Sequence, residues 1–322
     1  MSLKELNDLA ETNKGLQFFK IFARPAYGLG LRLLEYPRKV RNEYDRVLQD
    51  ILISKTPAAS CVSRGRPEIH SLVCHRHTYN YVLAIKSLLR FYDDVTVVVH
   101  DDGSLTKKDK RTITRHIENI NIIDRDYADE KIGEIFDHYP NCRRYRDTYV
   151  NALQLFDYML LCESDKIVSL DSDILFFKKP DTLIDWLRDG KKIVHFWEEE
   201  PLGTRDFCAK YNLDDCFAPV NIGLMCYFKA TMNLDLLEQI LSNVKIFDWC
   251  TGQQIYTVLL KQIEKGELSF FEPAKYQDMQ RLKDGQTARH YCSSYYQCCQ
   301  TYLSDRKKTI RELSNASKAD EA

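Results

Sequence analysis

Two aspartates one residue apart, Asp171 and Asp173, interrupt the apolar run KIVSLDSDILFF at residues 166–177. In an extended chain residues i and i+2 share a face, so both carboxylates leave the end of a buried strand in the same direction. Close carboxylates repel, and desolvating them is costly unless a cation accompanies them. The chemistry that suits this spacing is oxygen ligation of Mg²⁺ or Mn²⁺, ions that keep positions open for water and substrate phosphates. The competing reading is a polar turn whose aspartates bond local amides. With 29 aspartates in 322 residues, about two or three such pairs arise by chance, so the spacing alone decides nothing. Asp124 and Asp126 form a second pair, but Arg125 stands between them and the polar YADEK follows. That pair reads as a turn.

The elements around the first pair argue for an α/β fold. IHSLVCHRH and DVTVVVHDDGS read as strands, and NYVLAIKSLLRFY between them has apolar residues at helical spacing through Val82, Ile85, Leu88, Leu89 and Tyr92. A charged helix, LTKKDKRTITRHIEN, leads to the short strand INIID. YVNALQLFDYMLL is an amphipathic helix through Val150, Leu153, Phe156 and Leu160 that feeds the aspartate strand; KKIVHFW and NIGLMCYF are further strands, and NLDLLEQILSN is a helix. The order predicts a layered domain with a mainly parallel central sheet flanked by helices, over residues 68–303. Such sheets bind ligands at the carboxyl ends of their strands.

Residues 1–67 read as a helical N-terminal extension and linker, and 304–322 as a polar, peripheral tail. From Lys20 to Arg46 there are seven basic residues against three acidic, so residues 18–46 are a candidate for peripheral contact with an anionic membrane or a protein. The formal net charge of -1 leaves no global field to recruit nucleic acid. No secretory leader or bilayer-spanning run is evident, and the eleven scattered cysteines include no CxxC. Reduced thiols in a cytoplasmic protein, with the inner face of a membrane as a peripheral location, are the expectation. GxGxxG is absent, since Gly28 and Gly30 lack a third glycine in place, and so are GxxxxGK[ST] and GxSxG. These absences argue against a dinucleotide enzyme, a P-loop kinase and the simplest serine hydrolase.

In order along the chain, several stretches resemble boxes of metal-dependent, nucleotide-sugar glycosyltransferases of the GT-A fold. LDSDILFFKKP resembles their DxD box, VTVVVHDDGSL the strand and turn of the nucleotide pocket, and RRYRDTYVNALQLFDYMLL the helix before the DxD strand. NIGLMCYF is similar to the Asn-x-Gly segment of the sugar cleft, and RHYCSS to the C-terminal histidine segment. The resemblance implies a Mn²⁺ or Mg²⁺ site at Asp171, Asp173 and His290, with Asp171 also near the ribose. It implies Asp101 and Asp102 near the base or ribose, Asn221 near the sugar or acceptor, Asn221 and Gln254 with Asp171 and Asp173 as the catalytic residues, and Arg143 and Arg146 as phosphate or sugar contacts. Surface or ion-paired arginines are the competing reading of the last two. The implied donor is a nucleotide-diphosphate sugar, uridine ahead of guanosine, and the acceptor a hydroxyl-bearing glycan, lipid-linked or small molecule.

One departure concerns CTGQQIYTVLL, where relatives place an acidic residue before glutamine and this chain has Gln253 and Gln254. Gln253 cannot serve as a carboxylate base, which leaves Asp248 and Glu198, Glu199 and Glu200 as candidates and the choice between inversion and retention open. A different chemistry is also conceivable from the residues: His75 and His77 as an HxH pair which, with His100, Asp171 and His290, would make the zinc site of a hydrolase. A nucleotide-sugar binding protein without turnover is the third reading.

Overall fold

The computed structural model describes residues 38–197, 207, 209, 220–248, 251–263, 269–277, 285–291 and 300–320. The chain divides into two compact units, residues 1–45 and 46–322. Most of the basic stretch proposed for membrane or protein contact, residues 18–37, lies outside the described residues, as do Glu198, Glu199 and Glu200. No helix among the described residues is long and apolar enough to cross a membrane.

Helix α1 (Arg38–Ile53) precedes strand β1 (Glu68–Val73). Helix α2 (Thr78–Leu89), strand β2 (Thr96–Asp101), helix α3 (Lys107–His116) and strand β3 (Asn121–Ile123) follow. Next come helices α4 (Arg125–Ile135), α5 (Pro140–Thr148) and α6 (Ala152–Leu160), then strands β4 (Lys166–Leu170) and β5 (Ile174–Phe176). Helix α7 (Asp181–Asp189) leads to β6 (Val194–Trp197) and the long β7 (Val220–Phe228). Helices α8 (Leu234–Asn243) and α9 (Thr251–Ile263), the short strands β8 (Ser269–Phe270), β9 (Tyr276–Gln277) and β10 (Ala288–His290), and helix α10 (Gln300–Asp320) complete the order.

The main sheet has seven strands in the order β8-β6-β7-β4-β1-β2-β3. Neighbours pair in parallel except at β7, which runs antiparallel to both β4 and β6. The α/β fold with a mainly parallel sheet is therefore as expected. All six residues of β2 are buried, and so are five of the six of β1, as in a sheet covered on both faces. A second sheet, β9-β10-β5, stands apart, with β10 antiparallel to β5 and parallel to β9. The chain thus leaves the main sheet between β4 and β5, at Asp171 to Asp173.

Four expectations are corrected. The strand read through to His77 stops at Val73, and His75–His77 form one 3₁₀ turn. Residues 54–67 are packed into the second unit: Lys86, buried in α2, donates to Thr56 Oγ1 at 2.6 Å, and Asn119 and Asn121 donate to the carbonyls of Cys61 and Ser63. The polar tail is not peripheral: through Asp320 it belongs to helix α10, with Ile310 and Leu313 buried. Its sparse apolar positions sit among charges, which hid them. Val150 precedes α6 and is exposed, because a break at Tyr149–Asn151 splits the expected helix in two.

His195 on β6 is fully buried, and among the described residues neither ring nitrogen has a partner. Burial pushes its pKa down to about 3. The folded state therefore refuses a proton that the unfolded chain accepts below about pH 6.5, and stability present at neutral pH is lost as pH falls, by about 2 kcal/mol at pH 5. We predict that His195→Phe stabilises the protein in urea denaturation by about 2 kcal/mol more at pH 5 than at pH 7.5. The same effect at both pH values contradicts this.

Candidate active site

Asp171 follows the last residue of β4 at the carboxyl end of the parallel strands, and Asp173 precedes β5. His290 comes from the end of β10, whose antiparallel register sets it opposite Ile174. The Tyr291 amide donates to the Asp173 carbonyl at 3.1 Å and closes that corner. As a result His290 Nε2 lies 3.2 Å from Asp173 Oδ1 and 3.6 Å from Asp171 Oδ2. One ligand atom from each of the three residues falls within 4.8 Å of the others. Asp173 and His290 are buried, while Asp171 keeps a partly exposed edge.

Two carboxylates at this separation carry an electrostatic conflict. Desolvation first, and the charge of Asp173 second, push the Asp171 pKa up to about 7, against the opposing pull of His290 and of a hydrogen bond from Gln154. Gln154 Nε2, on the first turn of α6, donates to Asp171 Oδ1 at 3.0 Å. Its backbone carbonyl accepts from the Tyr256 hydroxyl on α9 at 2.9 Å. A single residue therefore joins the aspartate to the helix that carries Gln253 and Gln254. Sequence reasoning missed Gln154, since one amide in an amphipathic helix carries no signal of its own.

The Asn-x-Gly segment has a steric reason. Gly223 accepts the Asp171 amide at 2.8 Å through its carbonyl and donates its own amide to Asn221 Oδ1 at 2.9 Å. A β-carbon at Gly223 would lie 2.5 Å from His290 Cε1 and 2.8 Å from its Nδ1. The strand is irregular here too: the β6 register jumps from His195 opposite Met225 to Phe196 opposite Asn221. Such a bulge re-aims backbone beside a site. Asn221 thus holds the amide of the glycine that leaves room for His290 beside the aspartates.

The other expected residues are not drawn into this cluster. Asp101 is buried, accepts the amides of Gly103 and Leu105 at 2.8 and 3.0 Å, and pairs with Lys110 at 2.7 Å. Asp102 accepts the Ser104 amide and hydroxyl, and Ser104 in turn accepts the His75 amide. These bonds tie together the loops after β1 and β2, one and two strands away from β4. Arg146 is buried, with a bidentate pair to Asp157 at 2.8 Å on both arms and a third bond to Asp129 at 2.6 Å. Arg143 donates to the Gly133 carbonyl and to Asp137. Both arginines are thus ion-paired in this structure. Asp248 accepts from the Thr251 hydroxyl and its amide donates back to Thr251, which fixes the start of α9. Gln253 and Gln254 are both buried in the first turn of that helix.

The zinc constellation does not assemble. His75 Nδ1 pairs with Asp109 at 2.7 Å, inside the capping box that Asp109 forms with Thr106. His100 is buried against His70 at 2.8 Å, and His70 continues to Glu68 at 2.9 Å. Asp171, Asp173 and His290 are the one metal-competent group among the described residues. His77 does lie close enough for the charge of Asp173 to act on it, although burial dominates and lowers its pKa. Two carboxylate oxygens and one imidazole nitrogen, with an open side at Asp171, fit a divalent ion such as Mn²⁺ or Mg²⁺.

Because any side chain at Gly223 displaces the imidazole, Gly223→Ala is predicted to weaken Mn²⁺ binding in the presence of a nucleoside diphosphate by about tenfold or more. Isothermal titration checks this, with unfolding followed in parallel. Wild-type affinity in a folded Gly223→Ala protein contradicts the steric argument.

No protein-family model matches the sequence, and a search of curated proteins finds no match. Solved structures do match. The galactosyltransferase LgtC, solved with donor and acceptor sugar analogues, is 13% identical; the alignment covers 77% of this chain and 96% of LgtC at a TM-score of 0.53. An active-site variant of LgtC with glutamine exchanged for glutamate gives 13%, 76%, 95% and 0.53. The apo structure of the bifunctional glycosyltransferase WbbM is 13% identical, with 79% of this chain and 51% of WbbM covered at 0.50. The chain therefore has the GT-A fold, in which those glycosyltransferases are built.

Proposed function

We propose that this protein is a glycosyltransferase that moves a sugar from a nucleotide-diphosphate sugar to a hydroxyl-bearing acceptor, with a divalent cation held by Asp173, His290 and Asp171. The observation that carries this reading is the convergence of two carboxylates and one imidazole, 117 residues apart in sequence between Asp173 and His290, at the carboxyl end of β4. When bound, such a cation offsets the negative charge that builds on a departing diphosphate.

The protein's own groups divide the remaining work. Gln154 holds the Asp171 carboxylate in one orientation, and Gly223 leaves room for the His290 ring. The loops after β1 and β2, cross-linked through Ser104, are the proposed nucleoside pocket. Gln254 and Gln253 present neutral amides, which orient hydroxyl groups and do not accept a proton. LgtC likewise has a glutamine in its active site. Manganese, a uridine donor, a glycan or lipid-linked acceptor and a cytoplasmic location are the finer terms of the same reading.

A panel of nucleotide sugars assayed with Mn²⁺ tests it. Asp173→Ala is expected to lower donor turnover by at least about 100-fold with an unchanged fold, and Asp171→Asn likewise. Near-normal hydrolysis and transfer by either folded variant overturns the assignment. Donor bound and never consumed by the wild type favours a binding protein instead.

A further inference from the structure

His290 stands at the end of a three-residue strand, too short to hold an imidazole firmly by itself. Alternation along the strand turns its neighbours, Arg289 and Tyr291, to the opposite face. Both of their polar ends reach one atom there. Arg289 Nη1 lies 2.5 Å from Asp305 Oδ2, and the Tyr291 hydroxyl donates to the same oxygen. Arg289 is braced further by Nε donating to Gln286 Oε1 at 2.7 Å.

Asp305 belongs to α10, and that helix is anchored between Leu303 and Glu312. Gln49 donates to the Leu303 carbonyl at 2.9 Å, and buried Arg306 donates to Asp50 at 2.6 Å. Arg90 pairs with Glu312 at 2.7 Å while its other arm donates to the Phe176 carbonyl on β5. The Tyr291 and Tyr302 rings pack at 4.6 Å between centroids. β5, β10 and α10 are thereby linked into one frame behind the aspartates and the imidazole.

We infer that Asp305 is a positioning residue for His290, so that the C-terminal helix is part of the metal and diphosphate site. The inference rests on the transferase reading given above. Its reach is specific: Asp305 touches neither the aspartates nor the imidazole, and acts by gripping the residues on both sides of His290. Such outer partners of metal ligands are worth roughly 10- to 100-fold in metal affinity.

The test is a double-mutant cycle on Mn²⁺ affinity, measured by electron paramagnetic resonance with uridine diphosphate present. Asp305→Ala is expected to weaken binding by about 10- to 100-fold in the wild-type background and to have no further effect when combined with His290→Ala. Tyr291→Phe, which removes a single hydroxyl, is expected to weaken binding several-fold and serves as the readout if Asp305→Ala does not fold. Unchanged affinity in folded Asp305→Ala, or in Tyr291→Phe where Asp305→Ala does not fold, overturns the inference and leaves the transferase reading intact. Equal losses in the wild-type and His290→Ala backgrounds also overturn it, because the effect then bypasses His290. A wild-type protein that binds no Mn²⁺ in this assay overturns both.

Discussion

Asp171 and Asp173 stand where a buried strand ends, close enough that two unit charges at that range repel by about 3 kcal/mol at an effective dielectric near 20. Everything around them manages that repulsion. Without a cation, desolvation first and the charge of Asp173 second push the Asp171 pKa up to about 7, and a proton relieves the conflict. With one, both carboxylates ionise and the corner becomes an anion-facing electrostatic site. The geometry holds the conflict in place: Gln154 takes one oxygen of Asp171, Gly223 takes its amide, and Tyr291 takes the carbonyl of Asp173.

The fold explains why this corner forms here. Parallel strands end together, so β1, β2 and β4 deliver their following loops to one edge, and antiparallel β7 begins at the same edge. The small sheet then returns His290 across β5. A short strand can present a ligand only if its other face is fixed, and α10 supplies that through Asp305. The ion pairs elsewhere, such as Arg146 with Asp157 and Asp129, tie α4, α5 and α6 together and leave the chemistry to the corner.

The strand and helix order, the aspartate pair and His290 were legible because each rests on local pattern: apolar shoulders, a two-residue period, and boxes in a fixed order. Other features depend on partners distant in sequence. Nothing near Arg146 announces Asp157, eleven residues on and across a helix break, so its ion pair read equally well as a phosphate contact. The DDGS turn did carry a signal, since aspartates ahead of a glycine readily bond their own loop, and Asp101 and Asp102 both do so. The HxH pair misled because a strand period was extended past Val73 into a 3₁₀ turn. Asp305 was hidden among the charges of what looked like a polar tail, and Gln154 among the polar positions of a helix.

In the proposed function, Asp171, Asp173 and His290 form a cation site completed by a diphosphate. Equilibrium dialysis of Mn²⁺ against the wild-type protein, with and without uridine diphosphate, measures that directly. One weakly held ion per chain is expected, held markedly tighter when the nucleotide is present. Tight binding that ignores the nucleotide, or no binding in either condition, would contradict it.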